Sequence, residues 1–530
     1  MADPFYITTA ISYPNGPPHI GHAYEAIAAD AIARFQRQQG RDVRFQTGTD
    51  EHGLKMAQAA RSEGLEPRAF SDKMSQLFQS MCDILNISYD RFIRTSQPDH
   101  YRASQAIWQA MEARGDLYLD RYEGWYSVRD EAYYEEEELT LAEDGSKQSP
   151  HGTPVEWTVE ESWFFRLSNY QQALLDHYSA NPDFIRPESR RNEVLRFVEG
   201  GLKDLSISRT SFDWGVPVPG SDDHVMYVWL DALTNYITGL GYPDETELWR
   251  RFWPADVHLI GKDVVRFHAV YWPAFLMSAG IALPKQVYGH GFLLSRGEKM
   301  SKSVGNVVDP MVLADRFGVD SLRYFLLREV SFGQDGSYSA EAIVARANAE
   351  LANSFGNLAQ RVLSFIAKNC GGQIPVVDSP ALIPKVDREF LGQVEMHLSQ
   401  FLIEFNLLNI DRAIKSWLQA VYDANSYVDE QAPWALRKAD PQRMEEVLSI
   451  LCLAIHHIAL AIVPVIPRAA AQILDQLGVP EGSRQYPLTD QGLWHVWDAS
   501  WAVELKAQGL VLPIPQPVFP RLELEVEESA

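Results

Sequence analysis

The chain has 530 residues, 46% hydrophobic and 22% charged, an ordinary globular composition with apolar material for about three or four domains. A formal charge of −24 and a pI near 5.0 exclude a surface coated in phosphate-neutralising Lys and Arg, leaving room only for a local basic groove. Three scattered cysteines, Cys82, Cys370 and Cys452, form neither a disulfide framework nor a C-x-x-C knuckle and suit a reducing cytosol.

The start, MADPFYITTAISYP, lacks a basic segment followed by an apolar one, so no signal peptide is expected. PFYITTAISY (4–13) is rich in β-branched and aromatic residues and predicts a buried strand. PNGPP (14–18) is turn chemistry. IGHAYEAIAADAIARFQRQQ (20–39) has helical apolar spacing, with Gly40 at the position of a C-terminal glycine. DVRFQTGTD (42–50) predicts a second strand, and strand–helix–strand order points to an α/β fold, a doubly wound Rossmann-type sheet. Between 115 and 225 short strand-like pieces, EEEE (135–138) and turns break that rhythm, which predicts an insertion. The α/β pattern resumes at HVMYVWLDALTNYI (224–237) and VHLIGKDVVRFHAVYWPAFL (257–276). From about 340 to 475 the period is helical throughout, predicting an α-helical bundle. Val447–Pro467 carries no Asp, Glu, Lys or Arg. His456 and His457 in its middle and prolines at its end predict a buried bundle helix and no membrane span.

Two motifs carry chemistry. His19-Ile20-Gly21-His22 lies where the first strand meets the first helix. Two imidazoles on the first turn, beside the free N–H groups and partial positive charge of a helix start, make a donor cluster for polyphosphate. Gly21 lets a flat base approach the backbone. Lys299-Met300-Ser301-Lys302-Ser303 sits between Gly297 and Gly305. Two ammonium groups three residues apart on a mobile loop can close over a triphosphate and neutralise charge as pyrophosphate leaves.

Together, HIGH and KMSKS resemble the signature pair of the class I aminoacyl-tRNA synthetases. The rest is similar to the methionine branch of that family, through TTAISYPNGPPHIGH (8–22), GTDEHG (48–53), YVWLDAL (227–233), GKDVVRFH (261–268), HGFLLSRGEKMSKSVGN (290–306), FGNLAQR (355–361) and APW (432–434). The resemblance implies a Rossmann catalytic domain in two halves (1–114 and 226–289) split by a connective insertion (115–225). It further implies a KMSKS and stem-contact region (290–345) and a helical anticodon-binding domain with its tail (346–530). His19, His22, Lys299 and Lys302 would be catalytic. ATP would meet His19, Gly21, His22, Gly261, Asp263 and Lys302. Methionine would meet Ile11, Tyr13, Asp50, Trp229, Ala232, Leu233, Tyr236, Val264 and His268, where Leu233 departs from members that carry Pro. Asn357, Arg361, Pro433 and Trp434 would read the anticodon.

The implied activity is adenylation of L-methionine with ATP and Mg²⁺, then transfer to initiator and elongator tRNA(Met), by a cytoplasmic monomer. An insertion of about 110 residues is too short for the editing domain of the leucine, isoleucine and valine enzymes, and scarce cysteine argues against the cysteine enzyme. A small-molecule adenylyltransferase would not need the helical C-terminal third, and intact motif residues argue against a decayed tRNA-binding protein. Many relatives hold zinc in the insertion through a C-x-x-C pair and a later C-x-x-H pair. Here Ser127 and Asp130, then Gln148 and His151, match those positions, so no structural zinc is expected. Turns, hydrogen bonds and packing of Tyr133, Tyr134 and Trp157 are expected in its place.

Overall fold

The structure, a computed structural model, describes residues 2–130, 132–142, 144–295, 298–299, 308–376, 383–484 and 500–524. Among them six strands form one parallel sheet in the spatial order Arg91–Arg94, Asp42–Thr49, Pro4–Thr9, Val257–Gly261, Val287–His290, Ile185–Arg186. The order reverses between Pro4–Thr9 and Val257–Gly261. In doubly wound sheets that switch point opens a crevice beyond the carboxyl ends of the strands, where ligands bind. The first strand stops at Thr9, short of the predicted 13; Ala10 and Ser12 still hydrogen-bond to the flanking strands, and Ala10–Tyr13 line this crevice. The helix Ile20–Gln38 buries most of its length, and Gly40 beyond it takes a left-handed φ of 79°.

The insertion is a four-stranded antiparallel layer built on the pairing of Leu117–Ser127 with Glu156–Phe165. Ile185–Arg186, inside the span 115–225, hydrogen-bonds in parallel to Val287–His290. That stretch returns to the Rossmann sheet, a long-range pairing that a two-residue strand does not signal in sequence.

The C-terminal part stacks Asn357–Asn369, Lys385–Asn406, Ile410–Gln431, Pro441–Ile462 and Pro467–Gln476. Pro441–Ile462 is the long apolar helix, and 89% of its most apolar window is buried. Arg323 pins this bundle to the catalytic layer. Fully buried, it donates to Asp30 on the first helix (2.7 Å) and to the carbonyls of Leu85, Pro464 and Val465.

Candidate active site

At the switch point lies a cavity of about 380 Å³. Its walls include Ile11, Tyr13, Gly21, His22, Asp50, Trp229, Ala232, Leu233, Tyr236, Gly261, Asp263, Val264 and His268. Residues from four separate sequence segments therefore converge where the sheet topology opens.

His19 is not inside the helix but caps it, with an extended φ of −129°. Its Nδ1 accepts from the Gly21 N–H (3.1 Å), and His22 Nδ1 accepts from the His19 N–H (3.1 Å). An acceptor Nδ1 puts the proton of each neutral ring on Nε2, so both imidazoles present Nε2–H. The rings stack at 3.8 Å, and His22 meets the edge of Phe78. A Cβ on Gly21 would stand 2.9 Å from His19 Cε1, so glycine here admits the His19 ring, a reason beyond approach of a base. Gly261 repeats the device, because a Cβ there would lie 2.8 Å from Asp263 Oδ1. Gly261, not Asp263, is the cap residue of the helical turn Lys262–Val264, and Asp263 lies within that turn. Lys299 belongs to the short strand Glu298–Lys299, while its side chain and Met300–Val307, including Lys302, lie outside the described residues.

The far wall is aromatic. Trp229, Ala232, Leu233 and Tyr236 recur on one face of Val228–Thr238, as helical spacing requires. Trp229 stacks on Phe267 at 3.7 Å. Tyr236 Oη and His268 Nε2 are 2.6 Å apart, and His268 Nδ1 faces the Val264 carbonyl at 2.9 Å. A carbonyl only accepts, so Nδ1 carries the proton and Nε2 accepts from the Tyr236 hydroxyl. Burial agrees with this neutral ring, pushing the His268 pKa down to about 4. His258, stacked on Tyr236 at 4.1 Å, is likewise held well below the usual imidazole range by burial and by His268. The wall is thus uncharged and fixed in one tautomer. His268 lies in a π-helical turn, Phe267–Tyr271, a distortion common at functional sites.

Sequence reasoning missed Glu25, Lys55, Arg129, Asp130 and Asn235, which also line the cavity. Glu25 follows His22 by three residues, so helical spacing could have found it. Its carboxylate meets His290 Nε2 at 2.7 Å. Burial raises the Glu25 pKa, whereas Glu25 raises that of His290 against the lowering effect of burial. Arg129 and Asp130 come from the insertion, and only the tertiary fold brings them here.

In the insertion, the expected metal-knuckle positions hold oxygen chemistry. The Asp130 carboxylate accepts from Ser149 Oγ (2.6 Å), Tyr134 Oη (3.0 Å) and Thr153 Oγ1, and Ser127 Oγ lies 2.7 Å from Thr153 Oγ1. Burial raises the Asp130 pKa, but these hydroxyl donors outweigh it and hold the group below the usual carboxylate range. His151 packs edge-on to Tyr134. Trp157 packs on Trp125 yet stays 52% exposed, less enclosed than expected. The Tyr133 side chain lies outside the described residues. This donor set does not fit zinc, and among the described residues no three His, Cys, Asp or Glu side chains converge on a metal position.

In the bundle, the Arg361 guanidinium lies 5.6 Å from the Trp434 ring centroid and donates to Asp429 at 2.8 Å. Trp434 is 49% exposed, while Pro433 beside it is buried at the first turn of Pro433–Ala439. Asn357 lines a groove with Asn353, Gln360 and the tail residues Pro517–Phe519, which Arg361, Pro433 and Trp434 do not line and which sequence reasoning did not foresee.

Residues 5–363 match the model of class I tRNA synthetases (M), and residues 381–525 match the anticodon binding domain of methionyl tRNA ligase. The methionine–tRNA ligase of Brucella suis is 57% identical over 525 residues, covering 99% of each chain. That of Mesorhizobium japonicum is 57% identical over 518 residues, covering 98% of this chain and 97% of its own. The Mycobacterium tuberculosis methionyl-tRNA synthetase bound by methionyl-adenylate superposes with a TM-score of 0.91 at 54% identity, covering 98% of this chain and 100% of that one. Catalytic and anticodon-binding matches in one chain, over almost its whole length, answer the adenylyltransferase alternative: the chain belongs to the methionyl-tRNA synthetases, the methionine-specific family of class I tRNA synthetases.

Proposed function

We propose that the cavity at the switch point holds methionine and ATP together for the first step of methionine–tRNA ligation. One observation carries the reading. The His22 imidazole, with His19 stacked behind it, the Gly261–Asp263 turn, a carboxylate and a neutral aromatic wall converge on one 380 Å³ space. The Asp50 carboxylate suits the substrate ammonium. Tyr13, Trp229 and Tyr236 offer ring surface to a thioether, contacts worth roughly 0.3–1.5 kcal/mol each, with Ile11, Ala232, Leu233 and Val264 filling the apolar remainder.

On this reading the methionine carboxylate attacks the α-phosphorus of ATP in line, and methionyl-adenylate and pyrophosphate form. The Nε2–H groups of His19 and His22 and the ammonium groups of Lys299 and Lys302 meet the phosphates. Gly261 and Asp263 receive the ribose. The terminal ribose hydroxyl of tRNA then attacks the mixed anhydride. No side chain becomes a covalent nucleophile, so positioning and electrostatics carry the rate. Magnesium fits as a companion of ATP held mainly by phosphate oxygens and water, where it would share the phosphate charge.

Asn357, Arg361, Pro433 and Trp434 are assigned to the anticodon, with the half-exposed Trp434 as the stacking surface. We further assign both initiator and elongator tRNA(Met) as substrates, and a monomeric, cytoplasmic enzyme. ATP–pyrophosphate exchange with each amino acid in turn tests the reading. Exchange with methionine above all others is expected, and exchange with another amino acid, or none, overturns it.

A further inference from the structure

Asp50 and the aromatic wall come from distant parts of the chain, and a second buried cluster joins them. Asp231 sits on the face of Val228–Thr238 turned away from the cavity, fully buried. Its Oδ2 meets His52 Nδ1 and its Oδ1 meets His100 Nε2, both at 2.6 Å. Thr238 Oγ1 spends its hydrogen on the Thr234 carbonyl, so it accepts from His100 Nδ1 at 3.0 Å. Ser104 Oγ stands 3.2 Å from the same His100 Nε2 that faces the Asp231 carboxylate. Burial alone would raise the Asp231 pKa, but His52 and His100 outweigh it and bring it to about 2.

His52 follows Asp50 by two residues. Its Nε2 lies 3.0 Å from the Tyr101 hydroxyl, and its ring meets the edge of Trp214 at 5.3 Å. Trp214 Nε1 in turn donates to the Glu51 carbonyl at 2.5 Å. Glu51, between them, is buried and takes two hydrogen bonds from Arg94 (2.7 and 3.0 Å). Asp50 thus faces the cavity while both neighbours are locked into the body. Gln46 ties the body of the same strand to Asn235; His52 ties the loop itself to the helix bearing Trp229 and Tyr236.

We propose that the His52–Asp231 pair is a positioning device for methionine, fixing the separation between the Asp50 carboxylate and the aromatic wall. Ammonium and thioether must be met at once by groups on different elements, and a buried charge-assisted contact is a stiff link between those elements. The inference rests on the assignment of the cavity to methionine.

Methionine-dependent ATP–pyrophosphate exchange on the full chain tests it. His52→Ala should raise KM for methionine about tenfold, the scale of losing a hydrogen bond to a charged group, with KM for ATP within about twofold. His52→Asn, whose amide N–H replaces Nδ1–H, should return KM for methionine to within about threefold of wild type. Should His52→Ala fail to fold, Tyr101→Phe removes only the oxygen behind His52, and KM for methionine should rise about twofold to threefold, again without ATP. A wild-type KM for methionine in the variant that folds, a parallel rise for ATP, or no recovery in His52→Asn overturns the inference alone. A wild-type chain without methionine-dependent exchange overturns the assignment of the cavity, and this inference with it.

Discussion

In the catalytic cavity the rings that would meet substrate are backed by closely packed partners. His268 is held between Tyr236 and the Val264 carbonyl, His22 between His19 and Phe78, and Trp229 lies flat on Phe267. On the surface of the bundle Trp434 stands half-exposed, and its neighbour Arg361 is held by one exposed carboxylate, Asp429. The difference follows from what each region must bind. A small substrate surrounded on all sides needs donors whose protons are already in place, because preorganised dipoles in a dry site need no rearrangement as charge develops. A splayed base needs an open face on which to stack, and stacking tolerates looser geometry. Substitutions in the cavity should therefore act on chemistry and on acid stability, and those on the bundle should act on tRNA alone.

The largest expected effect is at the cavity's phosphate end. Lys302→Ala should lower kcat for ATP–pyrophosphate exchange by about a hundredfold or more, the scale of losing one preorganised donor, with little change in methionine binding. Near-wild-type exchange would remove Lys302 from the transition state and leave the histidines as the phosphate donors.

Next comes acid stability. The unfolded chain protonates His268 near its ordinary 6.5, whereas burial holds the native ring at about 4. Between those values the unfolded state binds more protons, so stability falls as pH drops from about 6.5 to about 4, by about 3 kcal/mol from this ring. His268→Gln keeps an acceptor for Tyr236 and takes up no proton. Its urea-unfolding free energy should lose correspondingly less between pH 7 and pH 4.5, with His258 still supplying a slope of the same sign. Parallel curves for the two proteins would mean that the native ring is already charged.

The bundle should respond in the opposite assay. Trp434→Ala should cut kcat/KM for tRNA by about tenfold to a hundredfold, since stacking is worth roughly 1–3 kcal/mol per base, and leave exchange intact. Equal damage to both assays would make Trp434 a packing residue and erase the contrast between the regions.

Sequence legibility divides along the same line. The HIGH helix, the parallel strands and the aromatic face of Val228–Thr238 were readable, because apolar period and turn residues report local structure directly. So were the cavity residues carried by motifs, from Ile11 to His268. A helix starting at Ile20 leaves His19 open to a capping role, and its extended φ as the residue before the helix fills that role. Arg129, Asp130 and the return of Ile185–Arg186 to the sheet were not readable, because they depend on contacts far apart in sequence. The tail residues Pro517–Phe519 beside Asn357 belong to the same class. The KMSKS lysines were plain in sequence, and there the motif rather than the geometry carries the assignment.

The smallest expected effect sharpens the comparison from a third place. The oxygen cluster around the half-buried Asp130, which borders the cavity, is directional like it, but its bonds close on themselves. Ser149, Thr153 and Tyr134 already occupy the Asp130 carboxylate, and Ser127 leans on Thr153. A structural zinc site needs four ligands, thiolate or imidazole for the most part, in tetrahedral array. Of the expected knuckle positions only His151 offers a strong ligand, and its ring packs on Tyr134. The hydrogen bonds should therefore do what metal does in many relatives. Treatment with a strong zinc chelator should change neither exchange activity nor Tm, and elemental analysis should find no stoichiometric zinc. Asp130→Asn, by contrast, should lower stability by about 1 kcal/mol, since the three hydroxyls that donate to Oδ2 would meet a neutral amide oxygen in place of a carboxylate. One tightly held zinc per chain, with Asp130→Asn silent, would reverse the assignment and move the metal ligands to residues other than these.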